Sequence, residues 1–256
     1  MSFFNKALAS IGIGSAKVDT KLSSSMVKPG EILSGVVEIT GGSTEQKIDE
    51  IYLSLLTNYI KESNDTKVQQ QAVLEKMKIV DSFVISANEK KEIPFTFMLP
   101  HDTPISLGKT KVWLQTGLDI KNAIDPSDKD MIVVEPSPLI ATILGAAEQL
   151  GFQLRKVESE AAPYKWKNRL PFIQEFEFYP TSGPFRGRLD EIEMIFLNIS
   201  GSSVDLHLQV DRRARGLGSL LSEALNMDET FVKLRVTTQD LHGFKQQLEQ
   251  TIQRYS

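Results

Sequence analysis

Residues Met131–Leu154 read MIVVEPSPLIATILGAAEQLGFQL. Met131–Val134 is a short apolar run that ends in Glu135-Pro136-Ser137-Pro138. Each proline lacks the N–H that a sheet ladder needs, so a strand ending here cannot continue as a central strand. Leu139, Ile140, Ile143, Leu144, Ala147 and Leu150 then recur at helical spacing and share one face. Ser137 suits the N-cap, Pro138 the first helical position, and Gly151 the stop. The expected order is strand, proline brake, short amphipathic helix, then strands again. This predicts an N-terminal domain over 1–136, a connector helix over 137–151 and a C-terminal domain over 152–256.

Outward from this stretch, the period is two. Leu33, Gly35, Val37 and Ile39 alternate with Ile32, Ser34, Val36 and Glu38. Ile51, Leu53, Leu55, Thr57 and Tyr59 share a face, as do Ile93, Phe95, Phe97 and Leu99, and Val112, Leu114, Thr116, Leu118 and Ile120. Such alternation marks half-buried antiparallel strands. Turn clusters separate them, among them Lys28-Pro29-Gly30-Glu31, where proline presets φ and glycine accepts the positive φ of a type II turn. The second half repeats the habit. Phe172, Gln174, Phe176 and Phe178 oppose Ile173, Glu175, Glu177 and Tyr179, and Val204, Leu206, Leu208 and Val210 oppose Asp205, His207, Gln209 and Asp211. The fold class expected is mainly β: two antiparallel β-sandwich domains with a connector helix and a C-terminal helix.

Two further helices are read at the ends. Phe3, Phe4, Ala7, Leu8 and Ile11 would line one face of an N-terminal helix. Docking on its own sandwich is preferred over a membrane-surface anchor, because Lys6 is the only cation on the polar side. Leu217, Leu220, Leu221 and Leu225 suggest another short helix. Asp240 is expected to cap a terminal helix whose apolar face is Leu241, Phe244, Leu248, Ile252 and Tyr255. That face is either a lid on the second domain or a docking surface for a partner helix.

Composition narrows the function. The chain has 256 residues, 41% hydrophobic and 24% charged, enough for packed cores. A net charge of −4 offers no general attraction to nucleic acid. The absence of cysteine removes thiol catalysis, thiolate metal sites and disulfides. No apolar run reaches the roughly 20 residues of a membrane span, and the N-terminus makes a poor signal peptide, so a cytoplasmic location is expected.

Catalytic motifs do not assemble. Gly108-Lys109-Thr110 has Thr103 where a phosphate loop needs its leading glycine, and Gly12-Ile13-Gly14 has Lys17 where a dinucleotide fingerprint needs one. His101, His207 and His242 are scattered and read as solvated. Asp119, Asp125, Asp128 and Asp130 form the best acidic group, but they lack the glycine and glutamate of a calcium loop and read as a turn. No cofactor and no metal are expected. Arg186, Arg188, Arg212, Arg213 and Arg215 are the basic cluster. They suit phosphate or carboxylate recognition, against a reading in which they pair with Glu191, Glu193 and Asp211.

Residues 15–22 (SAKVDTKL) and 27–37 (VKPGEILSGVV) resemble the opening strands and turn of arrestin-related domains. Residues 94–100 (PFTFMLP) and 112–138 (VWLQTGLDIKNAIDPSDKDMIVVEPSP) resemble the bacterial sporulation-control family, stage-zero sporulation protein M of bacilli. The resemblance covers nearly the whole chain and is carried chiefly by the long LDI-x-x-AIDPSDKD run. It implies an arrestin-like, non-enzymatic cytoplasmic regulator of sporulation that acts upstream of the phosphorelay. Its partners would be other proteins, with homo-oligomers an open alternative and no nucleic acid. The family supplies no catalytic residues. The rival class is a peripheral membrane-associated adaptor that uses the N-terminal amphipathic segment.

Overall fold

The structure, a computed structural model, describes residues 15–63, 66–120, 126–166, 168–212 and 231–256. The expected helices near the N-terminus and over 217–225 lie outside the described residues, as do Asp125, Arg213 and Arg215. The chain divides into two compact units that are discontinuous in sequence. One holds residues 1–58, 71–106 and 111–135; the other holds 59–70, 107–110 and 136–256. The contiguous split drawn at 136 therefore leaves out two short excursions, 59–70 and 107–110, that belong with the second unit.

The first unit is a sandwich. One sheet has the order β1 (Lys17–Leu22), β3 (Ile32–Thr40), β7 (Lys90–Met98), all antiparallel. The other contains β2 (Met26–Val27), β9 (Ser127–Val134), β8 (Val112–Ile120) and β4 (Gln46–Ser63), with β5 (Thr66–Val80) and β6 (Phe83–Ile85) also pairing with β4. The alternating apolar positions face inward: Leu33, Val37, Ile39, Ile51, Leu53, Leu55, Leu114, Leu118, Ile132 and Val134 are all buried. The Pro29-Gly30 turn forms as its residues require. The Glu31 N–H donates to the Lys28 carbonyl at 3.0 Å, and Gly30 takes φ +87°. A Cβ at Gly30 would lie 2.4 Å from the ring of His101, so glycine also makes room for that imidazole.

The second unit is built on a five-stranded antiparallel sheet in sequence order: β10 (Phe152–Ala161), β11 (Phe172–Pro180), β12 (Leu189–Leu197), β13 (Ser203–Arg212) and β14 (Phe231–Thr237). One parallel bridge, Ile60 opposite Glu160, adds the distal part of β4 at the β10 margin. Phe176, Phe178, Ile192, Met194, Leu206, Leu208 and Val236 form the buried face. Two helices supply the apolar layer of this unit, α1 (Pro138–Gln149) and α2 (Phe244–Tyr255), which pack on each other, with α1 also on β10.

Helix α1 starts and stops on the signals in its sequence. The Ser137 hydroxyl accepts from the Ile140 N–H at 3.4 Å, with Pro138 in the first turn. At the other end, Gly151 adopts φ +92° and its N–H donates to the Glu148 carbonyl at 2.9 Å. Helix α2 differs from expectation. It begins at Phe244 with Gly243 at the cap position and no side-chain cap bond. Asp240 instead closes the preceding turn, accepting from the Thr237 N–H at 2.8 Å and the Thr237 hydroxyl at 2.6 Å. Those two bonds stabilise the carboxylate and hold its pKa below the ordinary value.

Candidate functional site

The sheet of the second unit has one apolar face, and its other face carries charged rows beside a small apolar cluster of Ala162, Ile173, Ile195, Trp166 and Leu197. Cross-strand register builds the charged face in rows. Lys156, Glu177, Glu193 and Gln209 stand in one row, and Glu158, Glu175, Ile195, His207 and Lys233 in the next. Arg155 reaches this face through a β-bulge. The register shifts between Leu154 and Lys156, so Arg155 is the extra residue, and its guanidinium bridges Glu177 on β11 and Glu191 on β12.

Two carboxyls on this face are driven in opposite directions. Burial alone would raise Glu158, but the ammoniums of Lys156 (3.0 Å) and Lys109 (3.2 Å) outweigh it and hold the carboxyl at about 2. Among the described residues no cation pairs with Glu193. Burial pushes it up, a hydrogen bond shared with Glu175 and the charges of Glu175, Glu191 and Asp211 push it further, and it reaches about 8. Glu193 therefore keeps its proton at neutral pH. The row is held by opposite charges at Arg155 and by a shared proton at Glu193.

A smaller acidic group sits where β1 meets β9 in the first unit. Asp128 accepts the Thr20 N–H of edge strand β1 at 2.7 Å, and the Thr20 and Thr116 hydroxyls are 2.6 Å apart. Burial, then the charge and hydrogen bond of Asp128, raise Asp130 to about 6. Asp119 lies apart from this pair, in register with Glu50 on β4. Among the described residues no three His, Asp or Glu side chains are grouped to hold a metal ion.

The expected histidines differ in fate. His242 is exposed, whereas His207 is buried and packs edge-on against Trp166, with 5.5 Å between ring centroids. The solvated reading of His207 is thus corrected: the indole covers a position that strand alternation assigns to the polar face.

Of the basic cluster, Arg186, Arg188 and the backbone of Arg212 fall among the described residues. Arg186 and Arg188 are exposed, and Arg188 donates to the Ser256 hydroxyl at 3.2 Å. The backbone of Arg212 lies opposite Leu189, beside Arg188 in the chain. Of the acidic partners expected for these arginines, Glu191 pairs with Arg155 and Glu193 shares a hydrogen bond with Glu175. Arg155 was not singled out from the sequence; the break in alternation across Leu154-Arg155-Lys156-Val157 is the signal that could have found it.

The terminal helix turns its apolar stripe inward. Phe244, Leu248 and Ile252 are fully buried, Leu241 is half-buried, and Tyr255 is 40% exposed. In this arrangement the stripe is core, and a partner could reach little of it beyond Tyr255. The flank beside the stripe is different. Gln247, Gln250, Thr251, Arg254 and Tyr255 of α2, with Val232 and Leu234 of β14, line a cavity of about 240 Å³. Alternation of Val232 and Leu234 with Lys233 and Arg235 could have marked that strand as a margin.

Known proteins agree with this chain over its length. The model of the family described as SpoOM protein matches residues 4–214. The sporulation-control protein Spo0M of Bacillus subtilis (strain 168) is 44% identical over 259 residues, covering 100% of both chains. The crystal structure of Spo0M from Bacillus subtilis superposes with a TM-score of 0.86 at 42% identity, covering 95% of this chain and 100% of that one. No helix among the described residues is long and apolar enough to cross a membrane. On these grounds the chain belongs to the Spo0M family of sporulation-control proteins.

Proposed function

We propose that this protein regulates sporulation as a non-enzymatic, cytoplasmic, arrestin-like scaffold that binds other proteins upstream of the phosphorelay. The observation that carries the reading is full-length kinship with a sporulation-control protein. The fold supports it with exposed sheet margins, since an edge strand presents unpaired backbone groups that another chain can use. The charged face supports it as well: Glu177 and Glu191 pair with Arg155, and Glu158 with Lys156 and Lys109, as in a structural network.

The test is genetic. The chain replaces the Bacillus subtilis relative, and heat-resistant spores are counted in cells with an intact relay and in cells whose master response regulator is constitutively active. The expected result is restored control in the first background and no effect in the second. Failure to restore control, or an equal effect in both, overturns the reading.

A further inference from the structure

Strand β14 ends its sheet: among the described residues it pairs with β13 and with no other strand. Its outer edge therefore offers backbone N–H and C=O groups that no described strand satisfies. Its side chains alternate. Val232 and Leu234 look into the cavity beside α2 and Val236 is buried, while Lys233 and Arg235 are exposed on the other face. A strand laid along this edge would inherit the alternation, because residues opposite one another in a ladder share a face.

The cavity sets what can enter. At about 240 Å³ it falls below the ~300 Å³ at which small-molecule sites usually begin. It has room for an aliphatic side chain or two, and Val232 and Leu234 line it together with Gln247 and Gln250. Charge sets the rest. In a chain of net charge −4, this margin is basic: Lys233 and Arg235 stand on the strand and Arg254 lines the cavity. Arg235 is engaged by Asp205 at 3.3 Å, whereas Lys233 and Arg254 make no ion pair with a described residue. A second copy of this chain, paired edge to edge, would bring Lys233 and Arg235 against their own counterparts, and like charges facing each other on a sheet are destabilising. An acidic strand meets the opposite situation.

We propose that the outer edge of β14 and the cavity between β14 and α2 receive an extended segment of a partner protein as an added strand, with apolar residues entering the cavity and acidic residues facing Lys233. The proposal rests on the reading of the protein as an interaction scaffold and adds the chemistry of the partner. Backbone hydrogen bonds would supply affinity and the alternation would supply specificity.

The experiment uses the full chain and a fluorescein-labelled peptide of about nine residues that alternates glutamate with valine and leucine, read by fluorescence anisotropy. Two comparison peptides carry lysine in place of glutamate, or N-methyl groups on alternate backbone amides. The expected result is saturable binding of the acidic peptide with a micromolar Kd, weakened several-fold when salt shortens the Debye length from about 14 to about 6 Å. The N-methylated peptide loses at least tenfold because the ladder cannot form, and the lysine peptide does not bind. The exposed double variant Lys233→Glu/Arg254→Glu, with unchanged circular dichroism and Tm, loses at least tenfold for the acidic peptide. Absence of saturable binding up to about 1 mM, equal binding of any comparison peptide, or an unaffected double variant overturns the proposal. So does a dimer in sedimentation velocity that the acidic peptide fails to displace, since the edge would then belong to a second copy. Spore counts read the scaffold hypothesis separately, so restored sporulation control with no peptide binding removes the β14 site alone.

Discussion

Replacing Glu193 with glutamine removes one titration from the charged face while keeping its size and hydrogen-bonding reach. In the folded protein the carboxyl keeps its proton up to about pH 8, against an ordinary value of 4.5. The groups that face it are Glu177 and Gln209 across the ladders, with Glu175, Glu191 and Asp211 contributing charge and Arg155 neutralising Glu177 and Glu191. Below pH 4.5 both folded and unfolded chains hold the proton, and Glu193 costs nothing. Between 4.5 and 8 only the folded chain holds it, so stability falls as pH rises through that window and levels off above it. At about 1.4 kcal/mol per pH unit the full cost approaches ~5 kcal/mol, and the partly open face reduces it by screening to about 2–3 kcal/mol. The side-chain amide introduced by Glu193→Gln can donate to Glu175 as the carboxylic acid does, with nothing to ionise. The variant should match the parent at about pH 4.5 and exceed it by about 2–3 kcal/mol at about pH 9. Urea unfolding read through Trp166 reports on the second unit, with Trp113→Phe silencing the tryptophan of the first. Parallel pH profiles for parent and variant, or a variant less stable at high pH, would refute the argument that Glu193 is held protonated.

Changes at four other positions have worked outcomes. Arg155→Met should cost the second unit about 2 kcal/mol near neutral pH and less in acid, because the largely buried Glu177 and Glu191 lose their shared cation; urea titrations at the two pH values measure it. Gly151→Ala should cost about 2 kcal/mol or more in thermal unfolding, since φ is +92° and the new Cβ would meet the Ser182 carbonyl at 2.4 Å. Gly145→Ala, inside α1 with nothing near its Cβ, should gain up to about 1 kcal/mol. Leu248→Ala should cost about 3 kcal/mol and Leu248→Asp should abolish the near-ultraviolet dichroism of the second unit, because the side chain is fully buried; an Asp variant with native spectra would mean the helix face is open after all.

Local chemistry made much of this protein readable without coordinates. Ser137, Pro138 and Gly151 bound α1 because a cap, a preset φ and a positive φ are properties of the residues themselves. Pro29-Gly30 forms its turn for the same reason. Alternation found most strands, since a half-buried sheet imposes period two on any chain that forms it. Asp240 shows where local reading stops: its carboxylate could serve a helix N-terminus or the turn before it, and the path from Thr237 settled the matter.

What the sequence determined by itself is the mainly β class, the two helices seen here, most strand positions and the family. Each of these depends on near neighbours in the chain or on a long specific run. Tertiary structure alone decided which element covers each apolar face, that residues 59–70 and 107–110 join the second unit, that Trp166 buries His207, and that a bulge delivers Arg155 to Glu177 and Glu191. It also placed the stripe of α2 in the core and left the basic edge of β14 beside an open cavity. The physical reason is common to all of them. Periodicity specifies that a face must be buried, but many partners satisfy that requirement equally well at short range, and only packing of the whole unit selects among them.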